Sequence, residues 1–317
     1  NLAAHYNEKS ALRRMNEGIA MFYLVIALLI WASSFTAGKY AYQMFDPALV
    51  VELRLLIAGA IVLPFFLKYY NTIEAKIRRR LWGLSFLIFP VGIMLQFIGL
   101  AYTSASSAVT IIGTEPILVL LLGFAFFSKA VAWYDWLLSL LAFLGIGLLV
   151  LGSKTDGAVN LFGLSLVFLA GVGFALSIHL GQYVMRHITP KLYTAAILIQ
   201  GAILCLPLCL LFTRSWQVHF SWTGLFAVMY LGICCSWLAY KCWNIGLQKT
   251  PAHISGMLIA LEPVFGVLIA MLLLGERMTL LTALGSVLVI ASAAASTLIP
   301  ILRQKPQAGK YSTLTSK

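Results

Sequence analysis

Apolar residues in this chain come in runs of about twenty, separated by short polar stretches. Twenty residues of helix cover a hydrocarbon core about 30 Å thick. Ten runs fit that length, at residues 18 to 38, 47 to 67, 81 to 101, 106 to 127, 133 to 152, 160 to 182, 192 to 212, 224 to 247, 253 to 274 and 279 to 301. Period-2 alternation is absent and Leu, Ala and Gly dominate, which argues against an outer-membrane barrel. The pattern predicts an all-α integral membrane protein of ten transmembrane helices.

The chain also repeats itself. GLAYTSASSAVTIIGTEPILVLLLG, residues 99 to 123, aligns with GLQKTPAHISGMLIALEPVFGVLIA, residues 246 to 270, at a constant offset of 147 that pairs Gly99 with Gly246, Thr103 with Thr250, Glu115 with Glu262 and Pro116 with Pro263. An offset of 143 pairs Ser34 with Ser177 and Pro47 with Pro190. Each half then holds five spans, and an odd number makes the second copy insert upside down relative to the first. The expected organisation is a segment 1–17, a first repeat 18–152, a linker 153–159, a second repeat 160–301 and a tail 302–317.

Composition agrees with burial in lipid: 61% of residues are hydrophobic and 10% charged, with a mean hydropathy of +0.94. Positive loops stay cytoplasmic. With the amino terminus inside, sixteen Lys and Arg fall on the inner side, while only Lys39, Lys154, Arg214 and Arg277 fall outside; Arg54 and Lys241 lie within spans. Both termini are therefore expected in the cytoplasm of an inner-membrane protein. The net charge of +12 reflects topology and anionic lipid at Arg78 to Arg80, with no nucleic-acid partner. Residues 1–17 are polar and span 1 leads into a multi-spanning chain, so no cleaved leader is expected. The five cysteines all lie in spans 7 and 8. No His or acidic residue sits near them in sequence, so packing rather than metal binding is expected, and no cofactor is expected either.

Polar residues inside the spans carry the candidate chemistry. Glu115 and Glu262 each stand about ten residues into a span, close to the bilayer centre at about 1.5 Å per residue. A carboxylate there is costly. It could couple transport to protons or bind an ammonium group; equally, it could cap the backbone groups that the following Pro frees. Pro116 and Pro263 remove a helical donor, bend the helix and expose a carbonyl one turn earlier, making them candidate hinges. Lys241, in span 8, either snorkels to the interface or meets a substrate carboxylate, and Trp237, Tyr240 and Trp243 beside it could form a stacking wall. Glu52 and Arg54 point different ways on span 2, and Arg54 is expected to have a structural or outer-gate role. His179 is a candidate proton relay or a plain hydrogen-bonding group. Trp31, Ser33, Ser34, Gln96 and Ser177 complete the polar set. Small residues at Gly145, Gly147 and 291–296 permit close helix approach, within a monomer or in a homodimer.

Walker, HExxH and GxSxG signatures are absent from the sequence, so ATP-driven transport by this chain and those hydrolytic chemistries are not expected. The ten spans, the two five-span repeats, Trp31-Ala32-Ser33-Ser34, the Thr103-Ser104-Ala105 and Thr250-Pro251-Ala252 turns, the two apolar-Glu-Pro elements and Leu274-Gly275-Glu276-Arg277 together resemble the EamA-type drug/metabolite transporter superfamily over residues 18 to 301. One departure is Ser128-Lys129, where the second half has Gly275-Glu276. The resemblance implies a cavity built from spans 1 to 4 and 6 to 9, with spans 5 and 10 peripheral. It also implies export of amino acids, related metabolites or toxic organic compounds. The expected activity is secondary export of small organic solutes, amino acids foremost, by alternating access and with possible proton coupling. An organic-anion or nucleotide-sugar exchanger is the alternative, and a membrane enzyme acting on lipid-linked substrates a remoter one.

Overall fold

The computed structural model describes residues 2–102, 111–128, 131–152, 160–274 and 279–303. The described residues hold helices and no strand. Helix α1 is Leu2–Ala41, α2 is Pro47–Tyr69, α5 is Trp133–Gly152, α6 is Leu161–Val184, α7 is Pro190–Phe212 and α10 is Leu280–Arg303. The remaining four are irregular. Helix α3 consists of Ala75–Phe86, a π-helical stretch Leu87–Met94 and Leu95–Tyr102; α8 consists of Trp222–Tyr230, a π-helical stretch Leu231–Leu238 and Ala239–Lys249. Helix α4 is Glu115–Phe127, and α9 is Ala252–Ile259 followed by Leu261–Leu274.

Among the described residues, seven helices are long and apolar enough to cross a bilayer, and shorter apolar helices at Glu115–Phe127, Ala252–Gly266 and Leu280–Ser296 stand where spans 4, 9 and 10 were expected. Two of these regions are interrupted for a covalent reason. Proline has no N–H to give to the carbonyl four residues back, so the chain turns at Gly113–Thr114 before Glu115-Pro116 and at Ala260 before Glu262-Pro263. The first five residues of span 4, with the Thr103-Ser104-Ala105 turn, lie in residues 103–110, outside the described residues, as do Gly275, Glu276 and Arg277. Ser128 ends α4 in the left-handed region, with φ 47°, a conformation that favours glycine. The other repeat has Gly275 at this position.

Local signals recur at the repeat offsets. Asp46 caps α2 by accepting from the Ala48 amide at 3.0 Å, and Thr189 caps α7 by accepting from Leu192 at 3.3 Å; each cap precedes a proline at the first helical position, where its missing donor costs nothing. The π-helical stretches occupy corresponding parts of α3 and α8. Packing follows the same correspondence: α2 lies against α7, α3 against α6 as α1 against α8, α4 against α6 as α9 against α1, and α5 against α10. At two of these seams only glycine fits. A Cβ on Gly99 would stand 2.7 Å from the Gly163 carbonyl oxygen, and one on Gly246 would stand 2.7 Å from the Ala20 carbonyl oxygen.

Direction along the bundle is fixed by two contacts. The Arg214 amide, after α7, donates to Asp46 Oδ2 at 3.2 Å, so α7 ends where α1 ends. The Arg80 guanidinium lies 4.4 Å from the Tyr183 ring centroid, so α6 ends where α3 begins. Helices α1 and α6 therefore finish at opposite ends.

Candidate functional site

Helices α1 to α4 and α6 to α9 enclose a central cavity with about 80 Å³ open to the centres of water-sized molecules. By that measure one water needs roughly 10–15 Å³, so the space suits a small organic solute or a handful of waters. Seven pairs of its lining residues are related by the repeat offsets: Trp31 with Phe174, Ser34 with Ser177, Ile93 with Tyr240, Gln96 with Trp243, Phe97 with Asn244, Ile112 with Ile259, and Glu115 with Glu262. Ile112 and Ile259 are the residues whose carbonyls Pro116 and Pro263 leave without a helical donor. Both Glu side chains stand in the first turn of a half-helix, at the amide-rich end of α4 and of the second part of α9. Glu115 is 4% exposed.

An aromatic wall closes one side of the cavity. The Trp31 indole N–H donates to the Cys235 carbonyl at 2.9 Å, within the π-helical stretch of α8. π-Helical bulges leave such backbone oxygens open to side-chain donors. The Trp31 ring meets Tyr240 edge-on at 5.2 Å and Trp243 at 5.3 Å. The polar lining is held from behind: Asn244 donates to Thr194 Oγ1 at 2.9 Å, and Tyr193 is buried beside it.

Of the residues expected from sequence, Glu115, Glu262, Trp31, Ser34, Gln96, Ser177, Tyr240 and Trp243 all line this cavity. Arg54, expected at an outer gate, lines it too. It is 1% exposed, its Nε donates to Ser236 Oγ at 2.7 Å, and its guanidinium carbon lies 5.0 Å from the Phe97 ring centroid. Lys241 does not reach the cavity; its ammonium lies 5.5 Å from the Trp237 ring centroid on another face of α8. His179 lies outside the cavity as well. Its Nε2 is 2.8 Å from the Val119 carbonyl and its ring stacks on Phe127 at 4.8 Å, in a niche left by Gly123, whose Cβ would stand 2.8 Å from the imidazole. The cysteines are all free, with Cys205, Cys209, Cys235 and Cys242 buried, and no group of three or more metal-ligating residues occurs among the described residues.

Sequence reasoning passed over Tyr193, Phe97, Phe174 and Asn244. Asn244 alone carried a usable signal, since an amide inside an apolar run needs a partner.

At each end of the bundle a related bond joins two of the cavity helices. Lys39 Nζ donates to the Leu100 carbonyl at 3.3 Å, joining α1 to α3. Gln182 Nε2 donates to the Leu247 carbonyl at 3.1 Å, joining α6 to α8 at the other end. Lys39 and Gln182 differ by 143 residues, Leu100 and Leu247 by 147. The Tyr42 hydroxyl adds a bond to the Phe97 carbonyl at 3.2 Å, and Gln182 adds one to the Thr250 carbonyl.

The family model described as the EamA-like transporter family matches this chain twice, at residues 18–151 and 161–298. A curated relative from Haemophilus influenzae, described as an uncharacterized transporter, is 42% identical over 142 residues, which is 44% of this chain and 84% of the relative. An uncharacterized transporter from Archaeoglobus fulgidus is 28% identical over 272 residues, 84% of this chain and 95% of the relative. A solved chain titled only as the crystal structure of a protein superposes with a TM-score of 0.74 at 19% identity, covering 90% of this chain and 99% of that one. At that identity the likeness is one of fold.

Proposed function

Because the chain belongs to the EamA-like transporter family, we propose that it exports small organic solutes, amino acids foremost, from the cytoplasm through the central cavity by alternating access. The observation that carries this reading is the cavity wall itself. Corresponding residues of both repeats line it, and the two Glu-Pro carboxyl side chains face the same small space. Two five-span repeats with α1 and α6 ending at opposite ends of the bundle fit an inverted repeat, the architecture in which two halves rock about a central site. The related ties at the two ends fit an occluded form, from which breaking one tie opens one side. In this reading the membrane is the inner membrane, both termini are cytoplasmic as the distribution of Lys and Arg favours, and Glu115 and Glu262 hold a proton or the substrate ammonium.

The test is counterflow of labelled amino acids into liposomes holding the purified protein. Wild type is expected to accumulate label, and Glu115→Gln and Glu262→Gln each to lose about tenfold in rate, the equivalent of one charge-assisted contact of ~1.5 kcal/mol. Rates within twofold of wild type in both variants would leave the two carboxyl groups a purely structural role.

A further inference from the structure

Helices α2 and α7 begin at Pro47 and Pro190 and have the same length, so the offset of 143 holds along both. It pairs Arg54 with Ile197. The cavity wall is otherwise largely built from matched positions, and at this one the first repeat puts a guanidinium where the second has an aliphatic side chain. The fold does not require a cation here, since the related helix packs without one.

Arg54 is charged under all ordinary conditions and carries five donors in a planar fork. Its Nε is satisfied by Ser236 Oγ, and the Phe97 ring covers part of the guanidinium plane. Nη1 is buried and has no hydrogen-bond partner. No carboxylate lies within ion-pair distance of Arg54 among the described residues. Glu52, two positions away, diverges around the helix, and both its oxygens are themselves buried without a partner. A buried, always-charged fork with a free donor on a cavity wall is strongly unfavourable unless an anion completes it.

We propose that Arg54, oriented by Ser236, is the seat for the carboxylate of the transported solute, so that the cavity takes organic solutes bearing a carboxylate and discriminates against the same molecules as amides. This assignment rests on the cavity being the carrier's binding site. It also divides the cavity by charge: the carboxylate goes to the α2 side, and any ammonium goes toward the Glu115 and Glu262 side.

Detergent-purified full-length protein is titrated with each common amino acid, its carboxamide and the corresponding amine lacking the carboxyl group, and binding is read by calorimetry and by thermal shift. At least one acid is expected to bind tenfold or more tightly than its amide. Arg54→Gln should weaken the acid by tenfold or more while leaving the amide within twofold. Ser236→Ala, which removes only the Nε acceptor, should weaken the acid by a smaller factor and serves as the reporter if Arg54→Gln does not fold. Amides or amines that match their acids in wild type would overturn the carboxylate seat and leave the carrier reading standing. An absence of binding by every acid, amide and amine would overturn both.

Discussion

At the scale of single residues, the shape of the cavity depends on places where a side chain is missing. Gly92 is one of them. A Cβ there would stand 2.4 Å from Cε1 of Phe174, and relief to an ordinary contact needs a shift of about an ångström. Phe174 lines the cavity, so the space it can yield into is the cavity proposed to hold the solute. Gly92→Ala should therefore weaken binding of the bulkiest accepted solute before the smallest, at a stability cost of roughly 1–3 kcal/mol. Gly83 lies on the same helix with nothing within 4 Å of its would-be Cβ, and Gly83→Ala is the control. Equal losses for large and small solutes would show that the ring moves elsewhere. Much of this wall was legible in sequence and part of it was not, for one physical reason. In lipid both faces of a helix are apolar, so periodicity does not say which side meets the cavity. Glu115, Glu262, Gln96 and Ser34 stood out because a polar group inside a span needs an explanation. Phe97 and Phe174 looked like any residue facing acyl chains. Depth alone left Arg54 with a structural or outer-gate role and Lys241 between the interface and a substrate carboxylate; the turn of each helix brings Arg54 to the wall and leaves Lys241 beside Trp237.

At the scale of helices, proline and the π-helical stretches divide the labour. Helices α4 and α9 break where Pro116 and Pro263 withhold a donor, and that delivers each Glu on the first turn of a half-helix. Hydropathy, which counts apolar residues, is blind to a missing hydrogen bond; the two prolines supplied the signal for a bend in spans 4 and 9. Helices α3 and α8 stay continuous but widen at Leu87–Met94 and Leu231–Leu238, a distortion with no sequence signal beyond Pro90. Those same two helices receive the end ties. Each tie is one or two hydrogen bonds, worth roughly 0.5–1.5 kcal/mol apiece, small enough for thermal opening. Gln182→Ala removes both bonds at its end and should raise amide hydrogen exchange about five- to 160-fold there, around residues 244–250, and leave residues 97–102 at the wild-type rate. Lys39→Ala should do the reverse, with a smaller effect because Tyr42 still holds Phe97. Exchange that rises at both ends in either variant would mean that the ties do not act independently.

At the scale of the whole molecule, the eight cavity helices are backed by a ninth and tenth whose described residues stay clear of the cavity. Helices α5 and α10 pack tightly on each other and, among the described residues, supply none to the cavity wall. Their seam is made by backbone approach: a Cβ on Gly145 would stand 2.9 Å from the Gly285 carbonyl oxygen, and Gly152 accepts from Thr279 Oγ1 at 3.1 Å. Close contact of this kind associates helices where no hydrophobic force acts between them. The proposed rocking would need a rigid frame that does not share in the recognition chemistry, and this pair has the position for it. Gly145→Leu should then lower the melting temperature by several degrees, because backbone oxygen cannot give way to a side chain. The variant that still folds should bind any acid that wild type binds with unchanged affinity. A matching loss of affinity, measured by calorimetry below the melting transition, would show that the α5–α10 seam sets the width of the cavity and is not a separate support.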